Sequence, residues 1–169
     1  APITGRGWTD RRSASVVRSL RVAAMRRVYR VAWRGVQLRA MLWRRSSSGV
    51  KCLLTHGEQV LLVRHTYGRR HVWYLPGGGV HRGEPPLRAA AREMEEELGL
   101  RDLDLRELAT FETRLERIAV RLTCVQAEIA DPAQVRIEPV EIAQVGWFAR
   151  DRLPTPLGSE ERALIGMLR

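Results

Sequence analysis

The stretch Leu75–Leu100, LPGGGVHRGEPPLRAAAREMEEELGL, decides how the whole chain is read. Pro85 and Pro86 suit a first helical turn, where a missing N–H costs no hydrogen bond, and Gly99 supplies the stop. Between them, about 100° of rotation per residue puts Leu87, Ala90, Ala91, Met94 and Leu98 on one apolar face. Glu93, Glu96 and Glu97 fall on an adjacent arc, at helical spacings of three and four, and Glu95 points elsewhere. Like charges at those spacings destabilise a helix by roughly 0.2–0.5 kcal/mol per pair. Three carboxylates beside a face that must be buried break a local rule, as functional sites do. A divalent cation resolves the repulsion, and oxygen donors without His or Cys favour Mg²⁺ or Mn²⁺ over zinc. Just upstream, the bare backbone of Gly77, Gly78 and Gly79 can approach a phosphate, or lend a carbonyl to the metal at Gly78. A metal held by carboxylates beside such a loop suits attack of water on phosphorus.

Working outward, Val50–Thr55 and Gln59–Arg64 are short aliphatic and β-branched runs joined by His56-Gly57-Glu58, the pattern of a hairpin. Tyr67–Arg70 reads as a loop and Trp73–Leu75 as a brief strand. Leu105–Glu112, Ile118–Ile129 and Gln144–Phe148 are further strands, and Ser159–Leu168 is a closing helix capped by Ser159. Strands that do not alternate regularly with helices predict a mixed sheet flanked by helices, an α/β (α+β) fold, rather than a doubly wound parallel sheet. Ser46-Ser47-Ser48-Gly49 reads as a linker, dividing residues 1–48 from a domain over 49–169.

The net charge of +10 is unevenly spread. Residues 1–48 hold twelve Arg, no Lys and one acid, Asp10, a balance of +11; the remainder holds 17 basic and 18 acidic side chains, a balance of −1. The chain is thus a near-neutral domain with a basic arm. From Ser13 to Arg45 no Pro occurs, and Val17, Leu20, Ala24, Val28, Val31, Leu38 and Leu42 form a narrow helical stripe interrupted by Gly35. No apolar run approaches the ~18–20 residues of a membrane span, and the pattern is not that of a secretory signal. Four readings remain for residues 13–45: packing on the domain or in a homo-oligomer, an anionic membrane surface, nucleic acid, or an organellar targeting segment. The first leads, because Trp33, Met41, Leu42 and Trp43 offer more apolar surface than a solvated arm carries. Cys52 and Cys124 sit in apolar runs without partners at ligand spacing and read as buried thiols in a reducing, cytoplasmic setting.

Gly78, Glu84, Arg92-Glu93-Met94, Glu96-Glu97 and Gly99-Leu100 reproduce, with every spacing kept, the box of the Nudix hydrolases. Leu61-Leu62-Val63, Leu75-Pro76-Gly77-Gly78, Trp147-Phe148 and Leu153-Pro154 extend this resemblance over roughly residues 49–169. It implies an α/β/α sandwich and hydrolysis of a nucleoside diphosphate linked to another moiety. Carried over position by position, it makes Glu93, Glu96 and Glu97 metal ligands, with Glu97 or Glu96 polarising the water. Arg92 orients the carboxylates through bidentate bonds, and Glu84 holds the helix through Arg92 or binds a further metal. A distant glutamate as added ligand or base is also implied, with Glu138, Glu141, Glu112 and Glu116 as candidates. Gly77, Gly78, Arg64 and Trp73 are the substrate-facing candidates. Trp73 and Tyr67 suit stacking on a base, though each is as readily core or rim, and Trp147 reads as core. His65, His71 and His81 lie nearby without ligand spacing. Leu115, Arg117 and Ile118 do not match the family's ADP-ribose and dinucleoside polyphosphate subgroups, nor Leu61–Gly78 its coenzyme A subgroup. Two other functions stay open: a binding or regulatory module without turnover, expected to lose box glutamates that this chain keeps, and a hydrolase directed to RNA or a membrane by its arm.

Overall fold

The computed structural model describes residues 47–115, 118–158 and 160–168, together with Met25 and Val28. The expected helix over 13–45 therefore lies outside the described residues, except that Met25 and Val28 are helical and exposed. Glu116 and Arg117 are also outside them. Among the described residues, no helix is long and apolar enough to cross a membrane.

Five strands form one mixed sheet: β1 (Ser47–His56), β2 (Gln59–His65), β3 (Arg106–Leu115), β4 (Ile118–Glu128) and β5 (Ile142–Ala149). Their spatial order is β3-β4-β1-β2-β5. β1 and β4 run parallel, from Ser47 opposite Val120 to Thr55 opposite Glu128, and the other pairs are antiparallel. Helix α1 (Pro86–Leu98) and the short helix α2 (Glu161–Ile165) cover the two faces. The period of two along β1 builds both cores. Val50, Cys52 and Leu54 join Leu61, Val63 and the α1 residues Ala89, Ala90, Met94 and Leu98. Leu53 joins Val60, Leu62, Trp73, Leu75 and the α2 residues Leu164 and Ile165. The result is an α/β/α sandwich with a mixed sheet.

β1 and β2 pair at their turn, Thr55 with Val60 and His56 with Gln59. Farther along they part, and residues 73–80 lie between them. Tyr74 exchanges both backbone hydrogen bonds with Val63 of β2, at 2.8 and 2.9 Å. On the other side Cys52 N–H donates to Pro76 O, Val50 N–H to Gly78 O, and Val80 N–H to Ser48 O, at 2.8–2.9 Å. The glycine-rich turn is thus held inside the sheet. A Cβ on Gly77, whose φ is 141°, would collide with the Val50 carbonyl, so the position needs glycine.

Several expectations are corrected. Ser47, Ser48 and Gly49 belong to β1 rather than to a linker, because β4 gives them partners. Trp73–Leu75 makes isolated bridges, Tyr74 to Val63 and Trp73 to Leu157, not a strand. The closing helix spans five residues, Glu161–Ile165, and starts after Glu160; Ser159 lies outside the described residues. On α1 the buried face is turned: Leu87 and Ala91 are exposed, and Ala89 is buried with Ala90, Met94, Leu98, Glu93 and Glu97.

Candidate active site

α1 begins at Pro86, with Pro85 as its extended N-cap residue, and ends at Gly99 in the left-handed conformation, φ 66°. These boundaries set which carboxylates face the sheet. Glu97 is 1% exposed and Glu93 9%, whereas the Glu96 side chain is 57% exposed. The carboxylates are therefore part of the buried face, not beside it. Glu97 Oε2 accepts a hydrogen bond from Gly77 N–H at 3.1 Å. The Glu93 carboxylate fills the space that a Cβ on Gly78 would need. Burial, with Glu93 and Glu141 adding to it, pushes the Glu97 carboxyl up to about 8 against the opposing pull of the Gly77 N–H and Lys51. Burial also raises Glu93, against Arg92.

Arg92 ties the box together. Its Nε and Nη2 grip both oxygens of Glu84 at 3.1 and 3.0 Å. Nη1 reaches Glu93 at 2.7 Å and Glu96 at 3.3 Å, and Nη2 also donates to Gly79 O at 2.9 Å. A planar fork can serve both sides at once; an ammonium cannot. Glu84, which also receives the His81 N–H, is lowered to about 2 chiefly by the Arg92 hydrogen bonds, and Arg92 is raised in return. One guanidinium thus fixes the loop, the turn and two box carboxylates on α1.

Of the distant glutamates, Glu141 faces the pair electrostatically, raising both Glu93 and Glu97. Glu138 turns its side chain back on Val140 N–H, at 3.0 Å, while its own N–H donates to Glu97 O. Glu112 is exposed and 3.7 Å from Arg121. The Gly78 carbonyl, a proposed metal donor, already accepts from Val50 N–H. Trp73 is corrected as a stacking platform: it is 5% exposed, with the Arg64 guanidinium 4.4 Å from its ring centroid and Phe148 edge-on at 4.8 Å. Arg64, reaching Gln144 at 3.3 Å, helps to wall it in. His71 and His81 are exposed. His65 is held by burial at about 3, hence neutral, and stacks on Tyr67 at 5.0 Å. Trp147 is partly buried against the α1-side core. Sequence reasoning passed over Lys51 and Glu161, which pair at 3.0 Å on the other face of β1; a lone Lys in a strand otherwise reading as apolar was the signal.

Among the described residues, no three His, Cys, Asp or Glu side chains already stand close enough together to grip one ion. The donor set nevertheless fits a hard divalent cation. It is all oxygen, and two of its carboxylates are dehydrated, with their repulsion only partly relieved by Arg92 and the Gly77 N–H. Glu96, turned toward Arg92, is the member that would have to move.

Known proteins resemble the chain in sequence and fold. The NAD-capped RNA hydrolase NudC of Citrobacter koseri is 32% identical over 114 residues, 66% of this chain, and the chain spans 43% of that protein's length. The MutT NUDIX hydrolase of Burkholderia pseudomallei superposes with a TM-score of 0.63 at 26% identity, covering 74% of this chain and 99% of that one. The NUDIX domain of Shewanella oneidensis NrtR, solved with ADP ribose, has the same fold, with a TM-score of 0.64 at 22% identity over 73% of this chain and 86% of that one. The sequence profile of the NUDIX domain matches residues 45–166, and the chain belongs to that family.

Proposed function

We propose that the chain is a divalent-metal-dependent pyrophosphohydrolase. It cleaves a phosphoanhydride bond in a nucleoside diphosphate linked to another moiety, by attack of water on phosphorus. The observation that carries this reading is Glu97: a carboxylate sealed beside Glu93, facing Glu141 and fixed by the backbone of a glycine turn. Burying such a group costs stability unless it is neutralised, and clefts where this is tolerated are functional-site candidates.

Glu93, Glu96 and Glu97 would hold Mg²⁺ or Mn²⁺, with Glu141 as the added carboxylate. When bound, the ion neutralises phosphate charge and makes a bound water more acidic. The chain's own groups do the rest. Gly77 N–H fixes one oxygen of Glu97, and with it the rotamer of the group that receives the water proton. Arg92 steadies Glu93 and stays protonated throughout, while Glu96 would turn away from Arg92 to join the ion. The turn, hydrogen-bonded into the sheet, presents Gly77 and Gly78 to the phosphates without having to fold around them.

Turnover of a panel of nucleotide sugars, dinucleotides and nucleoside triphosphates, with Mg²⁺, with Mn²⁺ and with EDTA, tests the reading. Metal-dependent release of a nucleoside monophosphate is expected. Tight binding of panel members without turnover would replace it with the binding-module reading.

A second reading is favoured by the +11 balance of residues 1–48 together with the activity that the NudC relative's name states. The substrate would then be a nucleotide-capped RNA, its phosphate backbone drawn by the arginines. Preference for NAD-capped RNA over free NAD should fall by about tenfold or more between 50 and 200 mM salt, as counterion release requires. A salt-independent ratio leaves the arm without a role in substrate choice.

A further inference from the structure

Of the chain's 29 basic residues one is a lysine, Lys51, and it stands in the middle of the central strand. Its side chain lies on the α2 side of β1, opposite the metal carboxylates, and is 15% exposed. The ammonium is 3.0 Å from Glu161 Oε1, 3.3 Å from Leu75 O and 5.2 Å from the centroid of the Tyr74 ring. Glu161 is 1% exposed, and its second oxygen is pressed against Gly158 with no hydrogen-bond partner among the described residues. Dehydrating both charges costs more than their attraction commonly returns, so an apolar pair would serve the fold as well or better. In a chain that otherwise uses only arginine, the position keeps the compact cation with three separately directed N–H groups. Among the described residues two of those groups face Glu161 and Leu75 O, and one is left on the side of the Tyr74 ring.

Two further rings continue from Tyr74. Tyr74, His65 and Tyr67 are half-buried, with His65 5.8 Å from Tyr74 and 5.0 Å from Tyr67. His65 Nδ1 is buried with no hydrogen-bond partner among the described residues. The cluster lies one backbone away from the proposed chemistry, across the sheet: the Lys51 Cα abuts Gly77, whose N–H holds Glu97. We propose that Lys51, with these rings, forms the subsite for a heteroaromatic ring bearing an exocyclic carbonyl oxygen, and that Glu161 is the residue that positions Lys51. A lysine already neutralised by a carboxylate at 3.0 Å is a poor clamp for a full anion such as phosphate, but a good donor to one carbonyl oxygen. The flanking rings supply apolar and edge-on contact to a flat ring. The substrate would then be a nucleotide whose base or second ring carries such an oxygen. This rests on the nucleotide-hydrolase reading above.

A single lysine makes the test direct. In the full chain labelled with ε-¹³C-lysine, one side-chain signal reports on Lys51. Inosine monophosphate and adenosine monophosphate, titrated in EDTA, differ mainly in a carbonyl against an amino group. The inosine compound should shift the signal to saturation and bind about tenfold or more tightly than the adenine compound, which should leave the signal in place, as expected of a site built to donate to that oxygen. Lys51→Met/Glu161→Gln, which removes both charges together, should bind the two equally. Glu161→Gln alone should raise KM for an inosine-linked diphosphate about tenfold with kcat nearly unchanged, a split that loss of fold would not give. A lysine signal unmoved by the inosine compound, or moved equally by both, overturns the proposal. So does a double variant that melts like the parent and keeps the preference. Metal-dependent turnover by the parent chain is scored separately, so a protein that selects inosine through Lys51 but never hydrolyses sinks only the enzymatic reading.

Discussion

Glu97 concentrates the site's electrostatics in one side chain. Glu97→Gln keeps the shape and removes the charge, so the fold should persist while turnover drops by several orders of magnitude; turnover within threefold of the parent would remove Glu97 from the chemistry. Its carboxyl also predicts how the metal-free protein responds to pH. The folded value, about 8, lies above the ordinary 4.5, so the folded state holds this proton more tightly than the unfolded chain does. The associated stability is present below pH 4.5 and is lost as pH rises through 8. In EDTA the melting temperature should therefore fall from pH 5 to 8.5, and Glu97→Gln should flatten that slope; an unchanged slope in the variant refutes the assignment. Much at this scale was legible, because the spacing of Glu93, Glu96 and Glu97 is chemistry written as periodicity. What was not legible is which carboxylates are buried. The tilt of α1 seats Ala89 and exposes Leu87 and Ala91, and that depends on the partner sheet.

α1 is a lever whose two ends are set by short-range chemistry and whose middle is set by packing. Met94, fully buried at the centre of the α1-side core, anchors it. Met94→Ala should cost about 2–5 kcal/mol in unfolding free energy and lower activity through displaced carboxylates, measured by denaturant titration beside turnover. At the C-terminal end, Gly99→Ala puts a Cβ in the left-handed region, 3.1 Å from the Arg136 Cβ. A loss of roughly 1–2 kcal/mol with kcat largely kept is expected, since the carboxylates lie at least one residue before the strain. The five strands were readable from β-branched runs and their turn residues. The stubby α2 was not, because the apolar spacing of Ser159–Leu168 runs past its end, although Gly166, its C-cap residue, marks the stop after Ile165. Nor did Ser47–Gly49 announce a strand, since only the distant β4 makes them one.

For the whole molecule, the sandwich divides labour between its faces. One carries α1 and the carboxylates; the other carries α2 with Lys51 and Glu161, and β1 is common to both. Added Mg²⁺ or Mn²⁺ should raise the melting temperature by several degrees near pH 8, where displacing the Glu97 proton is easiest, and EDTA should abolish both this gain and turnover. A metal-free preparation as stable and as active as the loaded one refutes the metal role. The mixed sheet flanked by helices followed from the pattern of strands, and the sandwich from the resemblance carried by the box; two apolar faces and two helices leave few other ways to bury them. Deleting residues 1–12, which have no apolar period, should leave melting temperature and kcat unchanged.

The turn wedged between β1 and β2 has a consequence for motion. Backbone amides of Val50, Cys52 and Val80 are donated to or from that turn within the sheet's own ladder. They should exchange with solvent deuterium as slowly as their neighbour Leu53, not at loop rates. A segment protected to that degree does not open and close once per catalytic cycle. Whatever gates substrate entry or product release would then act from the exposed residues 68–71, leaving residues 76–78 as the fixed wall against which the cycle runs.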